Sequence, residues 1–186
     1  MVFIKKSFDP YALRPLCFID IEGSGTKPGY HEVTEIALDH EKMGRWSTKV
    51  KMKHPQRAQA KALEVQQYSE LAWSGAPHFD QIADKLLEFL NNSIPVGHFV
   101  STYDLPMIRG NYEMIGKNSD FLPRLTLGTE QLAYEHLVPR GLKRLTLEAI
   151  CNFLDIDNEG AHRAYDDVDR TRQAYYKMVK TQQGLF

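Results

Sequence analysis

The chain has 186 residues, of which 42% are hydrophobic and 25% are charged, and these values exclude a mostly disordered protein. Its 23 Lys and Arg residues against 24 Asp and Glu residues give a formal net charge of −1. That balance argues against a protein that grips nucleic acid by bulk charge, although a few phosphates can still be held locally with metal ions.

Nothing in the sequence predicts export or a membrane span. No apolar run approaches the roughly 18 residues that a spanning helix needs, and no signal-peptide core follows the first lysines. Cys17 and Cys151 stand among apolar residues without the spacing of a zinc site, which indicates buried thiols in a reducing compartment. We therefore expect a cytoplasmic protein with a single domain over residues 1–180 and a short tail at 181–186.

Strand-like and helix-like segments alternate along the chain, a pattern typical of α/β proteins. In the first half, we predict strands at 16–22, 33–38 and 44–53, then helices at 59–68 and 79–90, the second of them clearly amphipathic. In the second half, we predict a strand at 94–100, a helix that begins at Asp104, and helices at 142–154 and 164–180.

The first predicted strand ends in two acids, Asp20 and Glu22. Residues two apart on a strand project from the same face, and ligands of α/β sheets lie at the carboxyl ends of strands. A pair of neighbouring carboxylates favours a hard divalent cation such as Mg²⁺ or Mn²⁺. An isolated Asp-x-Glu is also common as a pair of solvated acids, so both interpretations stay open at this point.

Two later positions carry the same kind of chemistry. Asp104 begins a predicted helix, where an acid can also serve simply as an N-cap. His162 precedes the last helix and Asp167 lies on its first turns. A neutral imidazole near metal ions can take a proton from water, whereas a surface histidine beside a solvated helix start needs no function.

In combination, these residues resemble the three motifs of the DEDDh-type, DnaQ-like 3′–5′ exonucleases, a family that includes the proofreading subunit of bacterial DNA polymerase III. The matching segments are Phe18-Ile19-Asp20-Ile21-Glu22 with 34–37, then 96–106, and then His162-x-Ala164-x-x-Asp167. The likeness extends from about residue 16 to about residue 180 in the same order and spacing. The chain departs from the family at Phe99-Val100, where His-Asn is frequent, and at 23–25, where the loop is usually rich in threonine.

The resemblance implies an RNase H-like fold, with a central mixed sheet flanked by helices, and hydrolysis of phosphodiester bonds with two Mg²⁺ or Mn²⁺ ions per site. Asp20 would bridge the ions, Glu22 and Asp167 would help to hold the ion that binds the attacking water, and Asp104 would help to hold the other. His162 would be the general base. The implied products are nucleoside 5′-monophosphates released from a 3′ end.

Two alternative assignments compete with this one in the third motif. Asp166 is adjacent to Asp167 but lies about 100° away around a helix, and the family spacing of five residues after His162 selects Asp167. A related motif uses tyrosine as the base, and Tyr165 with Asp169 matches it. We favour His162 with Asp167 because the pattern His-x-Ala-x-x-Asp is complete.

Several further residues are candidates for contact with the substrate. Backbone N–H groups of Gly23, Ser24 and Gly25 can approach a sugar or base closely, and Phe99 and Tyr103 can stack on bases. Basic runs at 49–61 and 140–144 can contact phosphates or simply form solvated faces.

The sequence favours DNA over RNA as substrate, with a role in DNA replication or repair. An exoribonuclease is the alternative, and a non-catalytic nucleic-acid-binding accessory module is a more distant one. The tail Gln182–Phe186 resembles the short peptides that dock on the sliding clamp, so a sliding clamp or a polymerase is its expected partner, although a frayed end is the simpler interpretation. A homodimer is compatible with the family but has no support in the pattern.

Overall fold

In the computed structural model, which describes residues 14–158 and 163–183 and side chains no further than residue 179, five strands form one mixed sheet. The strands are β1 Leu16–Gly23, β2 Val33–His40, β3 Gly44–Lys49, β4 Ile94–Gly97 and β5 Leu127–Gly128. Their order is β3-β2-β1-β4-β5, with antiparallel pairing from β3 to β1 and parallel pairing from β1 to β5. The predicted mixed sheet is therefore confirmed.

Helices cover both faces of this sheet, as the alternating pattern predicted. They are α1 Ala60–Val65, α2 Glu70–Trp73, α3 Phe79–Leu90, α4 Asp104–Met114, α5 Thr129–His136, α6 Leu147–Phe153 and α7 Ala164–Gln183. Short 3₁₀ turns occur at Pro55–Arg57 and Val138–Arg140. In the described part of the chain, no helix has both the length and the apolar character needed to cross a bilayer.

The central strand β1 is buried on both faces, which explains its continuous apolar run. Cys17, Ile19 and Ile21 belong to the core beneath α3 and α4. Phe18 faces the other way and packs against the aromatic rings of α7. Because Asp20 lies two residues after Phe18 and side chains alternate along a strand, its carboxylate emerges on the α7 side of the sheet.

Several predicted elements are shorter in the structure than in the sequence pattern. The predicted strand 44–53 ends at Lys49, because the Lys51 N–H leaves the sheet and donates to the Pro77 carbonyl at 2.8 Å. The predicted helix 142–154 begins only at Leu147, because Thr146 is extended and its hydroxyl caps α6 by accepting the Ala149 N–H.

Other differences have similarly local causes. The predicted helix 59–68 is reduced to α1, which ends before Gln67, a residue with a φ of 53°. The predicted strand 94–100 stops at Gly97, and Phe99 beyond it also has a positive φ, 60°. The short elements α2, β5 and α5 had no periodic signal long enough to predict them.

Candidate active site

Three carboxylates meet at the end of β1. Asp20 and Glu22 project from the strand and Asp167 from the first turns of α7, and each offers one oxygen within 4.8 Å of the others. All three side chains are partly buried. Oxygen ligands at this separation suit a hard divalent cation, so the predicted same-face placement of Asp20 and Glu22 produces a cluster that can hold one.

Asp104 completes the acidic end of the sheet from the opposite side. It is the first residue of α4, is 2% exposed, and accepts the Ile21 backbone N–H on Oδ1 at 3.1 Å. The N-cap position belongs to Tyr103, whose side chain makes no capping hydrogen bond. Asp104 is therefore bound to β1 rather than used as a helix cap.

These carboxylates line one open cleft of about 660 Å³. Its lining combines the clustered acids with aromatic rings and the start of α6. Its lining residues are Asp20, Ile21, Glu22, His98, Phe99, Tyr103, Asp104, Thr146, Leu147, Glu148, Asn158, Asp167 and Arg170.

The electrostatics of the cluster favour a cation. Burial, reinforced by the charges of Asp104, Asp167 and Glu22, raises the pKa of Asp20 well above its ordinary value. Burial and neighbouring carboxylates raise the pKa of Glu22 to about 8, and burial raises that of Asp104 to about 7. Because these three acids resist ionisation and lie beside Asp167, positive charge is required before the whole cluster can be deprotonated.

One positive group is already present, and the sequence patterns did not indicate it. Arg170 is buried, and its guanidinium donates to Asp167, one helical turn earlier, and to the Asn158 carbonyl at 3.0 Å. One Asp167 oxygen is thereby fixed. Such hydrogen bonds behind a ligand carboxylate orient it for metal binding. The i,i+3 spacing of an acid and an arginine was the only available signal.

A second ion pair ties α7 to the sheet. Glu35 on β2 lies opposite Glu22 and is buried. Arg163, immediately before α7, donates to both of its oxygens at 3.2 and 3.3 Å. The paired hydrogen bonds hold the beginning of α7 over the end of β1, which places Asp167 beside Asp20.

The structure separates the competing acids of the third motif. Asp167 faces the cleft. Asp169 and Tyr165 instead bind the guanidinium of Arg45 on β3, outside the residues that line the cleft. This favours the assignment of Asp167, while His162 lies outside the described residues.

Phe99 is presented to the cleft by an unusual backbone conformation. Its φ of 60° is rare for a residue other than glycine, and its N–H donates to the buried Glu130 carboxylate at 2.9 Å. The ring is 42% exposed and packs edge-on against His98. His98 is fixed in turn, because its Nδ1 lies 3.0 Å from the Thr129 hydroxyl, and burial lowers its pKa.

The other predicted substrate contacts have different outcomes. Tyr103 lines the cleft, and burial raises the pKa of its hydroxyl, which donates to the Gly25 carbonyl at 3.4 Å. Gly23, Ser24 and Gly25 are buried and are not among the lining residues. The Ser24 hydroxyl accepts the Glu32 N–H at 2.8 Å, and the Ser24 N–H donates to the Glu32 carbonyl at 2.8 Å, so both groups hold the two ends of a loop together. Contact of residues 23–25 with a sugar or base stays a prediction.

The first basic run is largely engaged by neighbouring groups. Lys53 pairs with Asp80 at 3.0 Å and Lys61 with Glu64 at 3.0 Å. The Lys49 ammonium lies 4.1 Å from the centre of the Trp73 ring. These contacts favour the interpretation of Lys49, Lys53 and Lys61 as parts of a solvated face.

Comparison with known proteins agrees with this geometry. The exonuclease family model RNase_T matches residues 17–175. The chain is 30% identical over 158 residues to a PolC-type DNA polymerase III of Clostridium perfringens, an alignment that covers 83% of this chain and 10% of the polymerase. It is 30% identical over 106 residues to the DNA polymerase III subunit epsilon of Aquifex aeolicus, covering 57% of this chain and 50% of that subunit.

Solved structures show the same fold at low identity. Escherichia coli exonuclease I, in a zinc-bound complex with single-stranded DNA, superposes with a TM-score of 0.77 at 18% identity, covering 92% of this chain and 41% of that one. The cell-death related nuclease CRN-4 superposes with a TM-score of 0.72 at 13% identity, over 90% of this chain and 64% of that one. The chain spans half or less of the length of the two polymerase relatives. The expected RNase H-like fold is confirmed.

Proposed function

Because the chain belongs to the RNase T exonuclease family, we propose that it is a metal-dependent 3′–5′ exonuclease that releases nucleoside 5′-monophosphates. The observation that carries this proposal is the convergence of Asp20, Glu22 and Asp167 from separate elements, with Asp104 on the same cleft. A non-catalytic binding module would have no use for a complete set of mutually repelling acids.

The donor set fits Mg²⁺ or Mn²⁺, because the ligands that cluster in the described part of the chain are all carboxylate oxygens. We propose two ions, with Asp20 shared between them, Glu22 and Asp167 on one side and Asp104 on the other. Bound there, the ions would supply Lewis-acid stabilisation of the attacking and departing oxygens.

The chain's own residues would bind and orient the substrate and move one proton. His162 is proposed to take the proton of the attacking water. Arg170 would keep one oxygen of Asp167 turned away from the ligand position. Phe99 and Tyr103, both on the cleft wall, are proposed to stack on the 3′-terminal bases, a contact that tolerates any base because every base has a flat aromatic face.

DNA is the proposed substrate, with a role in replication or repair, because the relatives are DNA polymerase III proteins and the superposed exonuclease I is a complex with single-stranded DNA. RNA is the alternative. A sliding clamp bound through Gln182–Phe186 and a homodimer stay predictions, and the tail's side chains lie outside the described residues.

Digestion of matched DNA and RNA strands labelled at either the 3′ or the 5′ end tests the function. With Mn²⁺, we expect 3′-labelled strands to release labelled mononucleotide at once, and 5′-labelled strands to shorten stepwise. Faster cleavage of the DNA strand would support DNA as the substrate. Internal cleavage, shortening from the 5′ end, or the same products in EDTA would contradict the proposal.

The metal-free protein is expected to become less stable as pH rises. The pKa of Glu22 is about 8, against 4.5 for an unperturbed glutamate, so between those values the folded state holds a proton that the unfolded chain releases. The contribution of Glu22 to the free energy of unfolding is therefore fully present below about pH 4.5 and is lost as pH rises towards 8. Mn²⁺ binds the deprotonated acids and should reverse the trend.

Thermal unfolding in EDTA and in Mn²⁺, measured at intervals from pH 5 to pH 8, checks this expectation. Because other groups titrate in the same range, the variant Glu22→Gln serves as the reference. Its unfolding temperature in EDTA should fall less steeply with pH than that of the parent. Equal slopes for the two proteins would contradict the electrostatic account of the site.

A further inference from the structure

A tight turn follows the catalytic strand and presents a lysine beside a tyrosine. The turn Lys27-Pro28-Gly29-Tyr30 has proline at its second position and Gly29, with a φ of 71°, at its third, and the Tyr30 N–H donates to the Lys27 carbonyl at 3.3 Å. Its first and last side chains are therefore neighbours. The Lys27 ammonium lies 5.2 Å from the centre of the Tyr30 ring.

A second cation reaches the same ring from elsewhere in the chain. Arg57 ends the 3₁₀ turn after β3, and its guanidinium carbon lies 5.3 Å from the Tyr30 ring centre. Among the described residues, neither Arg57 nor Lys27 has a carboxylate within ion-pair distance. The Tyr30 side chain is itself 42% exposed. The three residues form a surface that we call the Tyr30 surface.

The fold holds this surface in place. Gly110 on α4 packs directly under the turn, since a Cβ atom there would lie 2.1 Å from the Gly29 nitrogen. The Lys27 N–H donates to the ring of the buried His31 at 2.9 Å. A preformed surface binds a flexible chain with less loss of its own conformational freedom.

A continuous series of contacts joins the Tyr30 surface to the cleft. Tyr103, on the cleft wall, donates to the Gly25 carbonyl. Gly25 packs against the ring of His31, because a Cβ atom there would lie 2.6 Å from that ring. The His31 ring is 5.1 Å from the Tyr30 ring, centre to centre. These contacts connect the surface to the part of the cleft wall that Tyr103 forms.

We propose that the Tyr30 surface binds single-stranded nucleic acid upstream of the 3′ end, with a base stacked on Tyr30 and flanking phosphates beside Lys27 and Arg57. An exposed ring between two cations that have no carboxylate partner in the described part of the chain has the chemistry of a single-strand platform, in which stacking and phosphate contacts alternate along the bound strand. This assignment deepens the proposed function and rests on it for the direction of the strand.

Equilibrium binding tests the surface without any reaction. With the EDTA-treated protein and a fluorescein-labelled twelve-nucleotide oligo(dT), Tyr30→Ala should weaken binding about 5- to 150-fold, the value of one stacked base. Replacing Lys27 and Arg57 together by Gln should reduce the slope of log K against log salt by about 1.4, since each phosphate contact to a single strand contributes about 0.7.

Matched controls come from exposed residues elsewhere. Tyr134→Ala removes another exposed aromatic ring, and Lys85→Gln removes a lysine that is paired with Glu88, so both should bind like the parent. Unchanged binding by Tyr30→Ala would overturn the proposal. Displacement of the oligonucleotide by a polyglutamate peptide at equal charge concentration would also overturn it, because that result would identify an acidic protein as the partner.

Kinetics as a function of length separate this proposal from the function on which it rests. Tyr30→Ala should raise KM for the twelve-nucleotide strand and leave a dinucleotide unaffected, whereas Phe99→Ala should raise KM for both. An equal effect of Tyr30→Ala on both lengths would overturn the upstream position. If the parent cleaves no strand, the proposed function fails, while the binding measurements still decide whether the surface holds nucleic acid.

Discussion

Replacement of Asp20 by Asn is expected to lower the rate of metal-dependent strand cleavage by at least about 10³-fold. Its carboxylate is within reach of Glu22 and Asp167, and the charges of Asp104, Asp167 and Glu22 all act on it. Losing the shared ligand should weaken the binding of both proposed ions. Several kcal/mol of transition-state stabilisation depend on such ions, and each 1.36 kcal/mol is a factor of ten in rate.

The same substitution should make the metal-free protein more stable, which distinguishes a lost ligand from a damaged fold. Asn is close to Asp in size but removes one of several charges that raise each other's pKa. We therefore expect a higher unfolding temperature in EDTA at pH 8 for Asp20→Asn than for the parent, together with a smaller gain on addition of Mn²⁺.

The adjacent acids of α7 provide the matched control. Asp166→Asn removes the same charge next to Asp167 but from a side chain that does not line the cleft, so cleavage should be close to that of the parent. Rates are measured with 3′-labelled DNA at saturating Mn²⁺. Parent-like cleavage by Asp20→Asn, or an equal loss in Asp166→Asn, would contradict the assignment of the acidic cluster.

The sequence predicts those residues whose positions follow the repeat of a single strand or helix. Asp20 and Glu22 follow the two-residue alternation of a buried strand, and the helix Phe79–Leu90 follows its own apolar stripe to the residue. Asp104 and Asp167 could be selected only by family spacing, because nothing within their own helices distinguishes them from caps or solvated acids.

The missed features depend on contacts between distant segments. Arg163 forms an ion pair with Glu35, which is 128 positions away along the chain. Phe99 has a left-handed conformation, and its N–H donates to Glu130, 31 positions away. Ser24 is a further example, since its hydroxyl and its backbone N–H both form hydrogen bonds with the backbone of Glu32, which the loop sequence did not indicate. The local sequence shows which polar groups a segment contains. Contacts with distant segments decide which of those groups are left to bind a substrate or a metal ion.

Replacement of His162 by Ala is expected to lower kcat by about 10² to 10⁴-fold, the usual contribution of a positioned general base. Binding of Mn²⁺ should be unchanged, because the proposed ligands are all carboxylates. Added imidazole should restore part of the rate, since a small base can occupy the space left by the side chain. A structural role for His162 predicts no such rescue.

The tyrosine alternative is tested by the companion variant Tyr165→Phe. The Tyr165 ring is exposed and its hydroxyl accepts a hydrogen bond from Arg45 at 3.5 Å, on a side of α7 away from the lining of the cleft. We therefore expect a rate close to that of the parent. A loss of rate in Tyr165→Phe, together with a parent-like rate in His162→Ala, would assign the general base to Tyr165. The acid paired with Tyr165 in that motif is Asp169, which would then have to leave Arg45 and replace Asp167 in the acidic cluster.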